Sequence, residues 1–166
     1  MSEEKLKLLH KLWCYDLKKE SIVVWASFGV ELEGIYEYLK KKKIGCEVVR
    51  GKTSKNERQV IIQQWKDGIF PVLLCQQKVM RYGQDLSMAS AAIYYSNEPS
   101  REVKSQTEDR VIHFEKKQAS LIIDLCAEGS SDEDMVDLVK DKAKGNADFL
   151  NKVEQRFLTL GKLNGK

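Results

Sequence analysis

Hydrophobic positions along the chain follow two alternating rhythms. From residue 5 to 17, Leu6, Leu9, Trp13 and Leu17 recur at helical spacing with lysine and glutamate between them. A continuous apolar run of strand length, SIVVWAS, follows at 21–27. Residues 30–43 return to the helical period through Leu32, Ile35, Tyr36 and Leu39 and end in four lysines, which suit the negative pole of a helix. Gly45 is the expected stop for that helix. Residues 46–49 form a second strand candidate. A third helix is predicted over 54–66, with Ser54 as its cap, Glu57 in the capping-box position, Ile61, Ile62 and Trp65 on one face, and Asp67-Gly68 closing it. Residues 71–75 predict a third strand. A polar stretch containing Gly83 separates it from a fourth strand at 91–95. A helix is expected over 99–112, starting at Pro99 with Asn97 or Glu98 as cap, and then a last strand at 119–125. Two closing helices are expected near 131–143 and 147–160, the second carrying Leu150, Val153, Phe157 and Leu160.

Five strands that are apolar on both faces and separated by helices indicate an α/β domain, a parallel sheet covered by helices on both sides. Its ligand edge is expected at the loops that follow the carboxyl ends of the strands. No internal repeat or low-complexity tract interrupts the pattern, and 166 residues suit one domain. Hydrophobic residues at 42% and charged residues at 32% are an ordinary globular balance. The net charge of +3 neither demands nor excludes a nucleic-acid partner. No apolar run approaches the roughly 20 residues of a membrane span, and the MSEEKLKLLH start has the wrong charge order for a signal peptide. Met1 directly before the first helix is expected of a natural start. Cys14, Cys46, Cys75 and Cys126 form no CxxC pair and read as buried thiols of a reducing cytosol. His10 and His113 are too few for a histidine metal cluster. These features set aside the membrane, secreted and zinc-binding classes.

Two strings imitate nucleotide-binding motifs. GKTS at Gly51–Ser54 resembles the end of a phosphate-binding P-loop, yet the full pattern needs a first glycine where this chain has Cys46. LIID at 121–124 imitates a magnesium-binding strand, but Leu125 follows Asp124 in place of a second carboxylate. No serine, histidine and aspartate set has the context of a hydrolytic triad.

What remains is an ordered series of post-strand loops: Ser27-Phe28-Gly29, then Arg50-Gly51-Lys52-Thr53 leading to Glu57-Arg58, then residues 76–86, and last Asn97-Glu98-Pro99-Ser100 leading to Gln106 and Arg110. VVWASF resembles motif IV of the second RecA-like domain (the helicase C-terminal domain) of superfamily-two helicases. VRGKTSKNERQVIIQQWKDG resembles the stretch that follows it. LLCQQKVMRYGQDLSMASAAIYYSNEPS resembles motif V, QTEDRVIHFEKK resembles motif VI, and IIDLCAEGSSDEDMVDLVKDK resembles the segment after that. The branch that these strings resemble most is the Swi/Snf-type DNA translocases, phage versions included. The resemblance covers residues 1–145, with 146–166 as a helical extension.

The resemblance implies a RecA-like three-layer fold and a composite ATP site shared with another RecA-like domain. Arg110, four residues after Gln106, takes the arginine-finger position that stabilises charge on the γ-phosphate. Gln106, Gly83, Asp85 and His113 fall with it on the nucleotide side. Ser27, Phe28, Gly51, Thr53 and Gln77 fall where the family touches the nucleic-acid backbone, with Lys52, Lys78 and Arg81 adding positive charge. DNA is the implied partner, with RNA as the other option. ATP with Mg2+ is the implied cofactor, its P-loop and magnesium carboxylates lying on a separate first domain. A cytoplasmic setting in a bacterial or phage-infected cell goes with the resemblance. Two departures stand out. His113 replaces a second motif VI arginine, and Val79-Met80-Arg81 replaces a glycine-rich stretch, which predicts a stiff, bulky loop. Three classes therefore stay open: half of a helicase-type ATPase, inactive alone; a degenerate domain that only binds nucleic acid or a protein; and an unrelated regulatory protein on the same scaffold.

Overall fold

The computed structural model describes residues 3–17, 19–80, 84–112 and 120–126. The apolar runs become β1 (Ile22–Ala26), β2 (Cys46–Val49), β3 (Val72–Gln76), β4 (Ala91–Tyr94) and β5 (Leu121–Asp124). They form one sheet in the order β2-β3-β1-β4-β5, with every pairing parallel. This is a RecA-like architecture. β1, at the centre, is buried along its whole length, as a strand covered on both faces must be.

The period-two alternation of β1 divides the core. On one face Ile22, Val24 and Ala26, with Val72, Leu74 and Ile93, pack against Leu6 and Leu9 of α1 (Glu3–Lys11) and Leu32, Ile35 and Leu39 of α2 (Gly29–Lys41). On the other face Val23, Trp25, Leu73 and Tyr94 pack against Ile62 and Trp65 of α3 (Lys55–Lys66), with Met80, Leu86 and Val111 completing the layer. α4 (Gln77–Met80) is a single turn after β3, and α5 (Arg101–Glu108) follows β4. Among the described residues no helix is long and apolar enough to cross a membrane.

Several boundaries differ from the sequence expectation, each for a local reason. The first helix gives way at Lys11 to a π-helical turn, Leu12–Asp16, closed by the Leu17 amide on the Leu12 carbonyl at 2.9 Å. The left-handed residue that ends α2 is Lys43, with φ +58°, and not Gly45. Gly45 is constrained by packing instead: a Cβ there would lie 3.2 Å from the Phe70 Cβ and 3.3 Å from the Pro71 Cδ. α5 starts after Pro99, because the Ser100 hydroxyl accepts from the Val103 amide, and it ends at Glu108 instead of continuing to residue 112. Asn97 and Glu98, the expected caps, are engaged elsewhere. The polar stretch after β3 holds α4, which the pattern does not signal. The helices expected at 131–143 and 147–160 lie outside the described residues.

Cys46 and Cys75 are buried, as read from the sequence, whereas Cys14 and Cys126 are half-buried; none of the four is in a disulfide. Burial pushes the Cys46 thiol up to about 11 and raises Cys75 further, so neither forms a thiolate at neutral pH.

Candidate functional site

The parallel sheet brings the loops after β2, β3, β1 and β4 side by side at its carboxyl edge. Phe28, Gly51, Lys52, Thr53, Ser27, Gln77 and Lys78 are thereby gathered on neighbouring strand ends. They do not all face outwards. Gln77 is fully buried; its Nε2 donates to the Ser96 carbonyl at 2.6 Å and its Oε1 accepts from the Glu98 amide at 3.2 Å. Ser27 is buried too, its amide donating to the Ser96 Oγ at 2.9 Å, while its own hydroxyl has no hydrogen-bond partner among the described residues. The Ser96 hydroxyl in turn donates to Glu31 Oε2 at 2.5 Å. Thus Ser27 and Gln77 hold the loops together, and the groups that face solvent are Phe28, Gly51, Lys52 and Lys78.

The glycine and threonine amides are also engaged. The Gly51 amide donates to Gln76 Oε1 at 3.1 Å, the Thr53 amide to the Arg50 carbonyl at 2.9 Å, and the Ser54 amide to Glu57 Oε2 at 3.3 Å. Thr53 Oγ1 accepts from the Arg50 amide at 3.0 Å. GKTS is therefore a tight turn and a helix cap, with no ring of amides left for a triphosphate. Arg58 supports this corner from α3, donating to the Val79 carbonyl at 3.2 Å and the Thr53 carbonyl at 3.5 Å. Lys78 meets the Glu98 carboxylate at 3.0 Å while most of its side chain remains in solvent.

Of the residues expected on the nucleotide side, Asp85, Gln106 and Arg110 are among those described. The Leu86 amide donates to the Arg110 carbonyl at 2.9 Å, which fixes Asp85 beside the turn that continues α5. Asp85 forms an Asx turn, its Oδ1 accepting from the Ser87 amide at 2.9 Å, with Lys66 at 3.6 Å. Those contacts, led by the Ser87 amide, hold its carboxyl below the usual range. Gln106 lies one helical turn before Arg110; its Nε2 donates to Glu102 Oε1 at 3.0 Å, and its buried Oε1 has no hydrogen-bond partner among the described residues. Arg110 is half-buried. Of the bulk expected of the motif V loop, Met80 is fully buried in the α3 layer of the core. Arg81, Gly83 and His113 lie outside the described residues.

One part of this region is missed by motif reading. The underside of α5 buries Lys104, whose Nζ lies 2.6 Å from Asp124 Oδ1 and 4.6 Å from the centre of the Tyr94 ring. Asn97 Nδ2 donates to the same Asp124 oxygen at 2.7 Å. The signal is the sequence position of Lys104 between Val103 and Thr107 on the inner face of the helix, since a buried lysine requires a partner.

Among the described residues no group of three metal-ligating side chains occurs. The residues present fit one side of a nucleotide site: a half-buried guanidinium with a neighbouring amide suits a phosphate oxygen. Among the described residues they do not form a complete ATP and Mg2+ cradle.

An all-parallel, five-stranded RecA-like sheet covered on both faces is the fold of the second domain of helicase-like ATPases. The family of the helicase conserved C-terminal domain matches residues 4–115, and the chain belongs to that family. No curated protein matches the sequence. Solved structures that share the fold include two helicase-type domains. The C-terminal part of the Fun30 ATPase domain superposes with a TM-score of 0.72 at 23% identity, over 81% of this chain and 44% of that one. The Hef helicase domain of Pyrococcus furiosus gives 0.65 at 21% identity, over 82% of this chain and 28% of the other. The chain thus spans less than half of either structure.

Proposed function

We propose that this chain is the second motor domain of an ATP-dependent helicase or DNA translocase of the Swi/Snf-like branch. It supplies the arginine-finger side of a composite ATP site and part of the nucleic-acid track. A first RecA-like domain, on the same polypeptide or another, supplies the P-loop and the magnesium carboxylates. Residues 1–145 form the motor domain and 146–166 an extension. DNA is the favoured track, RNA the other option, and the proposed setting is the interior of a bacterial or phage-infected cell.

The observation that carries this reading is the hydrogen bond between Leu86 and Arg110. It joins the motif V segment to the motif VI turn, which brings the backbone after Asp85 against that of Arg110 although the two are distant in sequence. ATP with Mg2+, when bound against the first domain, supplies the phosphoryl group that is hydrolysed. Arg110 then presents a fixed positive charge to the γ-phosphate oxygens, and the turn beneath it keeps that charge in place. Gln106 lines the same site. At the carboxyl edge, Lys52 and Lys78 meet phosphates while Phe28 offers an apolar face, contacts that position a strand without reading its sequence.

Arg110→Ala in the assembled two-domain motor tests the assignment. Turnover falls by about 10³-fold or more with DNA affinity retained; unchanged turnover removes Arg110 from the site. A second reading, a degenerate domain that only binds nucleic acid or a protein partner, is favoured by the departures at His113 and at Val79-Met80-Arg81. No turnover from the assembled pair, with nucleic-acid binding retained, is the result that reading expects.

A further inference from the structure

The two candidate surfaces meet at a single carboxylate oxygen. Asp124 Oδ1, at the end of β5, accepts from Lys104 Nζ at 2.6 Å and from Asn97 Nδ2 at 2.7 Å. Lys104 belongs to the helix that carries Gln106 and leads into Arg110. Asn97 belongs to the loop whose Ser96 carbonyl and Glu98 amide hold Gln77, and whose Glu98 carboxylate meets Lys78. Asn97 Oδ1 is buried without a hydrogen-bond partner among the described residues, so the bond to Asp124 is what orients that amide. Lys104 has similarly little freedom: it is 4% exposed, lies over the Tyr94 ring, and its own carbonyl accepts from the Thr107 hydroxyl, which also bonds the Tyr94 hydroxyl at 2.7 Å.

We propose that Asp124 is a positioning residue that ties α5 to the Ser96–Glu98 loop, so that nucleic acid seated at the carboxyl edge alters the setting of Gln106 and Arg110. This rests on the motor-domain reading and adds to it a physical link between its two surfaces. The link consists of short, charge-assisted bonds in a shielded site, where such bonds are strong and geometrically demanding. A displacement of the loop therefore shifts the oxygen on which α5 is seated.

The test uses the full chain and a short DNA duplex at low salt, where backbone contacts are strongest, followed by amide and arginine side-chain NMR resonances. In the unsubstituted chain, DNA shifts the signals of Lys52 and Lys78 and also those of Gln106 and Arg110. In Asp124→Asn the edge signals still shift, with affinity within about twofold, while the α5 signals stay in place. The double substitution Lys104→Met with Asp124→Leu replaces the ion pair by apolar groups that keep the helix packed, and it gives the same separation. Lys104→Arg keeps the charge and retains the α5 response. If the α5 signals respond equally in Asp124→Asn, or fail to respond in the unsubstituted chain while the edge does, the link is overturned alone. If DNA shifts no signal at all, the nucleic-acid reading falls and the link falls with it.

Discussion

Lys43 ends α2 at φ +58°, a left-handed conformation that costs a residue with a Cβ about 1–2 kcal/mol. The geometry is imposed by the closing turn, in which the Ile44 amide reaches the Leu39 carbonyl at 3.0 Å and the Lys43 amide reaches the Lys40 carbonyl at 2.9 Å. Leu39 and Ile44 are both buried, so the turn cannot relax without exposing them. Lys43→Gly relieves the strain but gives up a cation at the helix end and loosens the unfolded chain. The expected net gain is about 0.5 kcal/mol, read as a higher urea midpoint at unchanged slope; a lower midpoint would contradict it. That Gln106 and Arg110 lie one turn apart was legible in their spacing. The burial of Ser27 and Gln77 was not, because a post-strand position does not tell whether a side chain meets solvent or the neighbouring loop.

At the scale of the element, α5 shows how a helix can be recognised and its limits still missed. Its cap is set by the Ser100 hydroxyl, while Asn97 and Glu98 serve contacts with Asp124 and Gln77 that arise only in the folded chain. α4 and the π-helical turn likewise have no periodic signal, being too short to show one. The strands, α2 and α3 were legible because apolar runs, the Ser54 capping box and the Asp67-Gly68 stop are local. α5 also carries Glu108, whose carboxyl burial raises above its ordinary value of 4.5, with Lys104 pulling the other way. As pH rises past that ordinary value, the unfolded chain releases this proton before the folded chain does, so the group lowers stability with rising pH. Glu108→Gln removes that loss. The stability gain of the variant is expected to grow towards neutral pH and to vanish in acid below the unfolded value. Urea titrations across that range check it, and a pH-independent difference would contradict it.

At the scale of the whole molecule, the order β2-β3-β1-β4-β5 gathers one set of loops at the carboxyl edge, while a backbone bond from Leu86 to Arg110 ties the segment after Asp85 to the turn that continues α5. The ordered motifs made the fold and the family legible, since each string alone is weak and only a parallel sheet reconciles their spacing. The Lys104–Asp124 pair stayed hidden because it joins two elements that only the folded sheet brings together. The central proposal is that this chain completes an ATPase together with a first RecA-like domain. The most direct test is ATP turnover with DNA present, measured for this chain, for a P-loop-bearing first domain captured by pull-down with this chain, and for the two combined. The account predicts turnover from the combination that neither part shows, lost on Arg110→Ala. Turnover by this chain alone, or none from the combination, would contradict it.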